Sequence, residues 1–239
     1  MMKRRFNGKD RKFWNVEYKT ANHLALSDKP SEDLVKFTRW LERQYGKTFL
    51  NKTGSVLDLG CGNGRNLIYL ARTFGVKGVG FDISSEAVAQ AKRTSAGLPI
   101  EYRTQSIANP LPLAAESQTL ALDMMTSHFL NALDRQNLLS EIARVLKPNG
   151  WLFLKTFLRE EDKHAERLLR EHPAGEAGSY IHPKIGLAEH VFTQSEIEKA
   201  LAGQFIIQKI AKSHGHLRRG AAFKRRSISV YAQKASLRA

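Results

Sequence analysis

The chain has 239 residues and a formal net charge of +15, from 38 Lys and Arg against 23 Asp and Glu. That length suits one α/β domain with additions, and a core of that size needs no covalent staples. One cysteine, Cys61, excludes intrachain disulfides and suits a reducing, cytoplasmic setting; no signal-peptide pattern and no run of about 18 apolar residues is present.

The first twelve residues read as mobile. Ser31 caps a helix whose apolar positions Leu34, Phe37, Leu41 and Tyr45 keep helical spacing, and Gly46 stops it. Val56–Leu59 reads as a buried strand. A glycine turn, Gly60 to Gly64, leads into a helix over Arg65–Phe74, closed by Gly75. Val76–Asp82 is a second strand, and Ser84 caps a helix over Ser85–Thr94. Ile100–Arg103 and Leu120–Met125 are further strands. Asp134 is the expected cap of a helix over Arg135–Leu146, and Trp151–Phe157 is a fifth strand. The rhythm breaks over 158–192, with a charged helix near Arg159–Glu171 and a loop rich in Gly, Pro and His. Thr193 and Glu196 form a capping box that opens a helix through Leu201. Phe205–Ala211 and Ser227–Ala232 are the last strands. This alternation predicts an α/β fold with a mostly parallel sheet covered by helices.

The strongest local signal runs from Val56 to Asn66, where a strand turns on Gly60, Gly62 and Gly64 into a helix. Glycines let a ligand approach the backbone, and the N–H groups at a helix start face it. The G-x-G-x-G spacing differs from the dinucleotide fingerprint, and the turn has no lysine, which excludes a P-loop. Asp58, just before the turn, would repel a pyrophosphate but favour a cation. Asp82 ends the next strand, where such folds bind a ribose diol.

With these residues in place, the segment resembles motif I of the class I S-adenosylmethionine-dependent methyltransferases. Phe81-Asp82-Ile83-Ser84 resembles the acidic motif that follows, and Glu141–Leu154 resembles the helix and turn before strand five. The likeness spans roughly residues 55–155. The variant Gly62-Asn63-Gly64-Arg65-Asn66 is similar to the tellurite-resistance and small-molecule branch. The resemblance implies a Rossmann-like three-layer αβα sandwich, with seven strands and the last one antiparallel. It implies S-adenosylmethionine as cofactor, with Gly60, Cys61, Gly62, Asn63 and Gly64 around the methionine part and Asp82 on the ribose. Ile83 would pack on adenine, with Ser106 and Ile107 near its amino group. Asp123 would line the transfer site, and Trp14 and Tyr18 are either lid or core. It further implies a basic N-terminal segment with a lid helix over 1–54 and a methyltransferase domain over 55–239. Within that domain, a substrate-cap insertion occupies about 158–192 and a basic loop 213–226.

The acceptor is less legible. Cys61 inside the turn argues against a cysteine adduct, and Asp123-Met124-Met125-Thr126 lacks the motif for exocyclic base nitrogens. His128, His182 and His190 are candidate acceptor-side residues. The histidine spacing predicts no metal site. Charge excess sits at the ends: residues 1–12 hold six Lys/Arg and one Asp, and 199–239 hold ten and no acid. Arg218 and Arg219 would flank the substrate mouth. Two readings follow: a small, anionic acceptor gripped by arginine, or RNA steered by phosphate contacts. A non-catalytic nucleic-acid module and an NAD-dependent reductase are weaker alternatives, the latter because of the glycine spacing.

Overall fold

The computed structural model describes residues 8–23, 26–46, 49–214, 216–218, 221–222 and 224–236. In chain order the elements are α1 (Gly8–Thr20), α2 (Glu32–Tyr45), β1 (Ser55–Leu59), α3 (Arg65–Phe74), β2 (Lys77–Asp82), α4 (Ser85–Thr94), β3 (Ile100–Thr104) and β4 (Gln118–Met124). A 3-10 turn (Ser127–Phe129) precedes α5 (Ala132–Val145), β5 (Leu146–Phe157), α6 (Lys163–Glu171), β6 (Ser179–Ile181) and β7 (Ala188–His190). The chain closes with α7 (Gln194–Leu201), β8 (Phe205–Lys212), β9 (Leu217–Arg218), β10 (Ala221–Ala222) and β11 (Ser227–Lys234).

Seven strands pair in the order β3-β2-β1-β4-β5-β11-β8. The pairs from β3 to β5 are parallel, and β11 runs antiparallel to both its neighbours. Alternating side chains fill two cores, one per sheet face. Leu34, Phe37 and Leu41 of α2 pack with Leu67 and Leu70 of α3 on one face. Leu138 and Ile142 of α5 pack with Ile197 and Leu201 of α7 on the other. Phe37 stacks on Phe153 of β5 at 4.8 Å between centroids. The expected three-layer sandwich is thus present.

Several expected boundaries moved: β5 starts at Leu146 rather than Trp151 and α6 at Lys163 rather than near Arg159, and two further shifts lie near the cavity. Residues 8–12 are helical, because α1 is held by tertiary bonds: Asn15 Oδ1 accepts from Ser84 Oγ at 2.9 Å, and Gln90 Nε2 donates to Tyr18 O. The cap of α5 is Asn131 rather than Asp134; Asn131 Oδ1 accepts from Asp134 N at 2.9 Å, which starts the helix three residues earlier.

The segment between β5 and α7 is a small cap. Asp162, wholly buried, ties it together. Its Oδ1 caps α6 through His164 N and Ala165 N, and its Oδ2 accepts from Arg225 Nε and Arg226 N. His216 adds a second clip, accepting from Lys163 N at 3.1 Å. Sheet order reverses at β1, whose neighbours β2 and β4 lie on either side. Ligands of open α/β sheets bind outside the carboxyl ends of the strands at such a point.

Candidate functional site

The chain leaves β1 at Gly60 and must turn at once into α3. Gly60 N and Cys61 N both donate to Phe81 O, at 2.7 and 3.0 Å, which clamps the turn against β2. Gly60 and Gly62 adopt φ of +69° and +55°, a region that L side chains rarely enter. A Cβ on Gly60 would fall 2.2 Å from Thr126 Cγ2, and one on Gly62 would fall 2.3 Å from Tyr18 Oη. Asp82 is fixed from both sides: Oδ2 accepts from Gly62 N at 2.9 Å and Oδ1 from Ser84 N at 2.8 Å. Each oxygen keeps a lone pair for a ligand.

Above the turn lies a cavity of about 1100 Å³. Gly60, Cys61, Gly62, Asn63, Asp82 and Ile83 line it, as do Ser106 and Ile107. Gly64, Asp58 and Asp123 do not; the two carboxylates are 1% and 4% exposed and lie behind the lining. Asp123 Oδ1 accepts from Ser127 N at 3.1 Å, while Asp58 Oδ2 has no partner among the described residues. Asp123 therefore holds the loop after β4 rather than facing the cavity.

These acids share one electrostatic environment. Burial pushes Asp58 up to about 7, with Asp82 and Asp123 adding repulsion and Arg65 opposing it. Burial likewise raises Asp82 to about 6, against the pull of its backbone hydrogen bonds, and Asp123 to about 6. Three carboxylates on neighbouring strand tips are thus held partly against ionisation, and a cation offsets that cost.

Helix α1 lies against the turn, with Tyr18 beside Gly62. Trp14 and Tyr18 of α1 line the cavity, and Trp14 meets Phe129 edge-on at 5.3 Å. Burial, then Asp82, pushes the Tyr18 phenol far up, so it stays protonated. Lys9 Nζ reaches Gly186 O in the cap at 3.0 Å, so α1 bridges both halves of the cavity. Trp14 and Tyr18 thus stand at the cavity wall rather than in a core cluster.

At the far end the wall comes from the 3-10 turn and β7. His128 and His190 line it; His182 does not, and its Nδ1 accepts from Lys184 N in a turn. Burial and then Arg225 push His128 down to about 3, so its ring is neutral. Glu189 and Glu176 also line this end, and sequence reasoning missed both. No residue of 213–226 lines the cavity among the described residues. Arg218 belongs to β9, its side chain outside the described set, and Arg219 lies outside the described residues. Arg225 and Arg226 are spent on the cap, through Asp162, Tyr180, Ser213 and Glu161. Among the described residues no cluster of three or more His, Cys, Asp or Glu is arranged to hold a metal, and no helix is long and apolar enough to cross a membrane.

Residues 56–150 match the family described as "Methyltransferase domain". A SAM-dependent methyltransferase from Methanosarcina mazei superposes with a TM-score of 0.67 at 26% identity, covering 78% of this chain and 95% of its own. Residues 56–150 thus carry a methyltransferase domain of the class I S-adenosylmethionine-dependent kind. The chain is also 28% identical over 172 residues to a fatty-acid O-methyltransferase of Mycolicibacterium smegmatis, covering 71% of the chain and 62% of the relative. It is 31% identical over 134 residues to a glycine/sarcosine/dimethylglycine N-methyltransferase of Actinopolyspora halophila, covering 54% of the chain. The chain spans 62% and 23% of the lengths of these two curated relatives. The cofactor of such domains is S-adenosylmethionine, and the site fits it: a glycine cradle that any Cβ would fill, a fixed carboxylate in the lining, and buried acids that favour positive charge.

Proposed function

We propose that the protein moves a methyl group from S-adenosylmethionine to an oxygen or nitrogen of a small molecule held beneath α1 and the cap. The observation that carries this reading is the set of Asp58, Asp82 and Asp123, buried at adjacent strand tips under a glycine turn. Their raised proton affinity suits a ligand that brings positive charge. In this reading Gly60, Cys61, Gly62 and Asn63 hold the methionine part and Asp82 the ribose hydroxyls. Ile83, Ser106 and Ile107 hold the base.

When bound, the cofactor supplies an electrophilic methyl carbon on a cationic sulfur. The chain's own part is to position the acceptor and exclude water. Trp14 and Tyr18 close the cofactor side. His190 in the lining is the candidate for taking a proton from the acceptor, whereas His128, pushed down to about 3, is too weak a base for that and forms a neutral wall. The segment 158–192 acts as the substrate cap.

An RNA acceptor draws on the charge of the two ends. Against it stand a roofed cavity, with Lys9 bridging lid and cap, and the internal use of Arg225 and Arg226. An anionic acceptor relied on Arg218 and Arg219, and the lining cation Lys155 is already paired with Asp33 at 2.6 Å. The test is transfer of labelled methyl groups into fractionated cell extract. Label in the small-molecule fraction supports the proposal; label confined to RNA replaces it with the alternative.

A further inference from the structure

The acceptor end of the cavity carries an unbalanced charge. Glu189 of β7 lines it and is 5% exposed. Its Oε2 accepts a short hydrogen bond from Tyr180 Oη, and Arg225 Nη1 stands 3.8 Å away. Its Oε1 has no hydrogen-bond partner among the described residues. Arg225 is divided between two acids: its Nε lies 3.0 Å from Asp162 Oδ2, and its Nη1 donates to Tyr180 Oη at 2.7 Å. The guanidinium also stacks 4.2 Å over the Phe157 ring. Asp162 and Glu189 are both buried, and one guanidinium serves both.

No other described cation makes up the difference. Arg226 turns its guanidinium to Glu161 and Ser213 O, Arg135 pairs with Glu176, and Lys155 pairs with Asp33. His128, beside this wall, is neutral, and its Nδ1 is buried without a hydrogen-bond partner among the described residues. A buried charge without compensation is costly, so the cluster is one positive charge short of balance. Trp14 and Phe129 line the same cavity and offer aromatic faces to the body of a ligand.

We propose that Glu189, held by Tyr180 and Arg225, recognises the acceptor, and that the acceptor carries a protonated amine set against Glu189 Oε1. The inference rests on the methyltransferase reading and names its substrate class. Glu189 is a specificity-determining residue, with Tyr180 and Arg225 positioning it.

The test uses the full chain in two stages. Calorimetric titration with S-adenosylhomocysteine comes first; absence of binding there overturns the methyltransferase reading itself. The protein saturated with that nucleoside is then titrated with phenethylamine and with hydrocinnamate, which share an aromatic body and differ in charge. The amine is expected to bind at least about tenfold tighter than the acid. Glu189→Gln should remove that preference, its melting temperature reporting on folding. Tyr180→Phe, which leaves the carboxylate but frees Oε2, should weaken amine binding several-fold. Equal or tighter binding of the acid overturns the proposal and points to an anionic acceptor. A preference that survives Glu189→Gln, or no amine binding at millimolar concentration, also overturns it.

Discussion

Gly62 N donates to Asp82 Oδ2 at 2.9 Å, so the glycine turn after β1 and the carboxylate at the tip of β2 form one unit. The bond sets the carboxylate at the cavity wall and fixes the turn that frames it. Asp82→Ala removes the ligand-facing oxygens and leaves Gly62 N and Ser84 N without their acceptor. An unmade hydrogen bond of that kind costs about 1–3 kcal/mol, so affinity for S-adenosylhomocysteine should fall by about tenfold to a hundredfold. Calorimetry reads this directly, and unchanged affinity would remove Asp82 from the site.

Tyr18 and Gly62 are matched in the same way. Gly62→Ala adds a methyl group at a φ of +55° and drives it into Tyr18 Oη. The variant should lose stability and nucleoside affinity. Tyr18→Phe in the same chain removes the colliding oxygen and should recover part of the loss. A double-mutant cycle should show coupling above about 0.5 kcal/mol. Strict additivity would mean that α1 does not sit over the turn in solution.

The pH response has a defined sign. Asp58, Asp82 and Asp123 rise from an ordinary 3.8 to about 7, 6 and 6. Groups with raised folded values stabilise the protein fully below the ordinary value, and that stability is lost as pH climbs through the folded values. The contribution of these acids to the unliganded melting temperature should therefore decline from about pH 4 to about pH 7 and level off above. A cationic cofactor favours the ionised forms, so its binding should release protons and tighten over the same range. Titrations in buffers of different ionisation enthalpy measure that release, and proton uptake would contradict it.

Arg225 gives a stability prediction. Arg225→Ala leaves Asp162, wholly buried, without its guanidinium. Breaking a buried pair costs about 3–5 kcal/mol. At about 2–4 °C per kcal/mol for a chain of this size, the melting temperature should drop by roughly 6–20 °C. A drop of only a degree or two would show that Asp162 is served by backbone donors alone.

Local signals carried much of the fold. Gly46, Gly75, Ser84 and the Thr193–Glu196 capping box each ended or began a helix where expected, because each satisfies its own backbone within a few residues. The meeting of Gly60 to Asn63 with Asp82 at one end of the cavity was legible for the same reason, since one turn and one strand end set them. Helix α1 was not, since its contacts are with Ser84 and Gln90 far along the chain. Glu189 was equally hidden. Its role depends on Tyr180 and on Arg225 from a distant loop, and no spacing in the sequence records that meeting. In the basic loop, charge alone does not tell a free arginine from one paired with an acid, and Arg225 and Arg226 are of the second kind.

Titration of the purified chain with S-adenosylmethionine tests the central claim most directly, with NADH as the control ligand. The expected result is saturable binding at one site per chain, weakened by about tenfold to a hundredfold in Asp82→Ala, and no heat from NADH. Binding of NADH with none of the sulfonium nucleoside would contradict it.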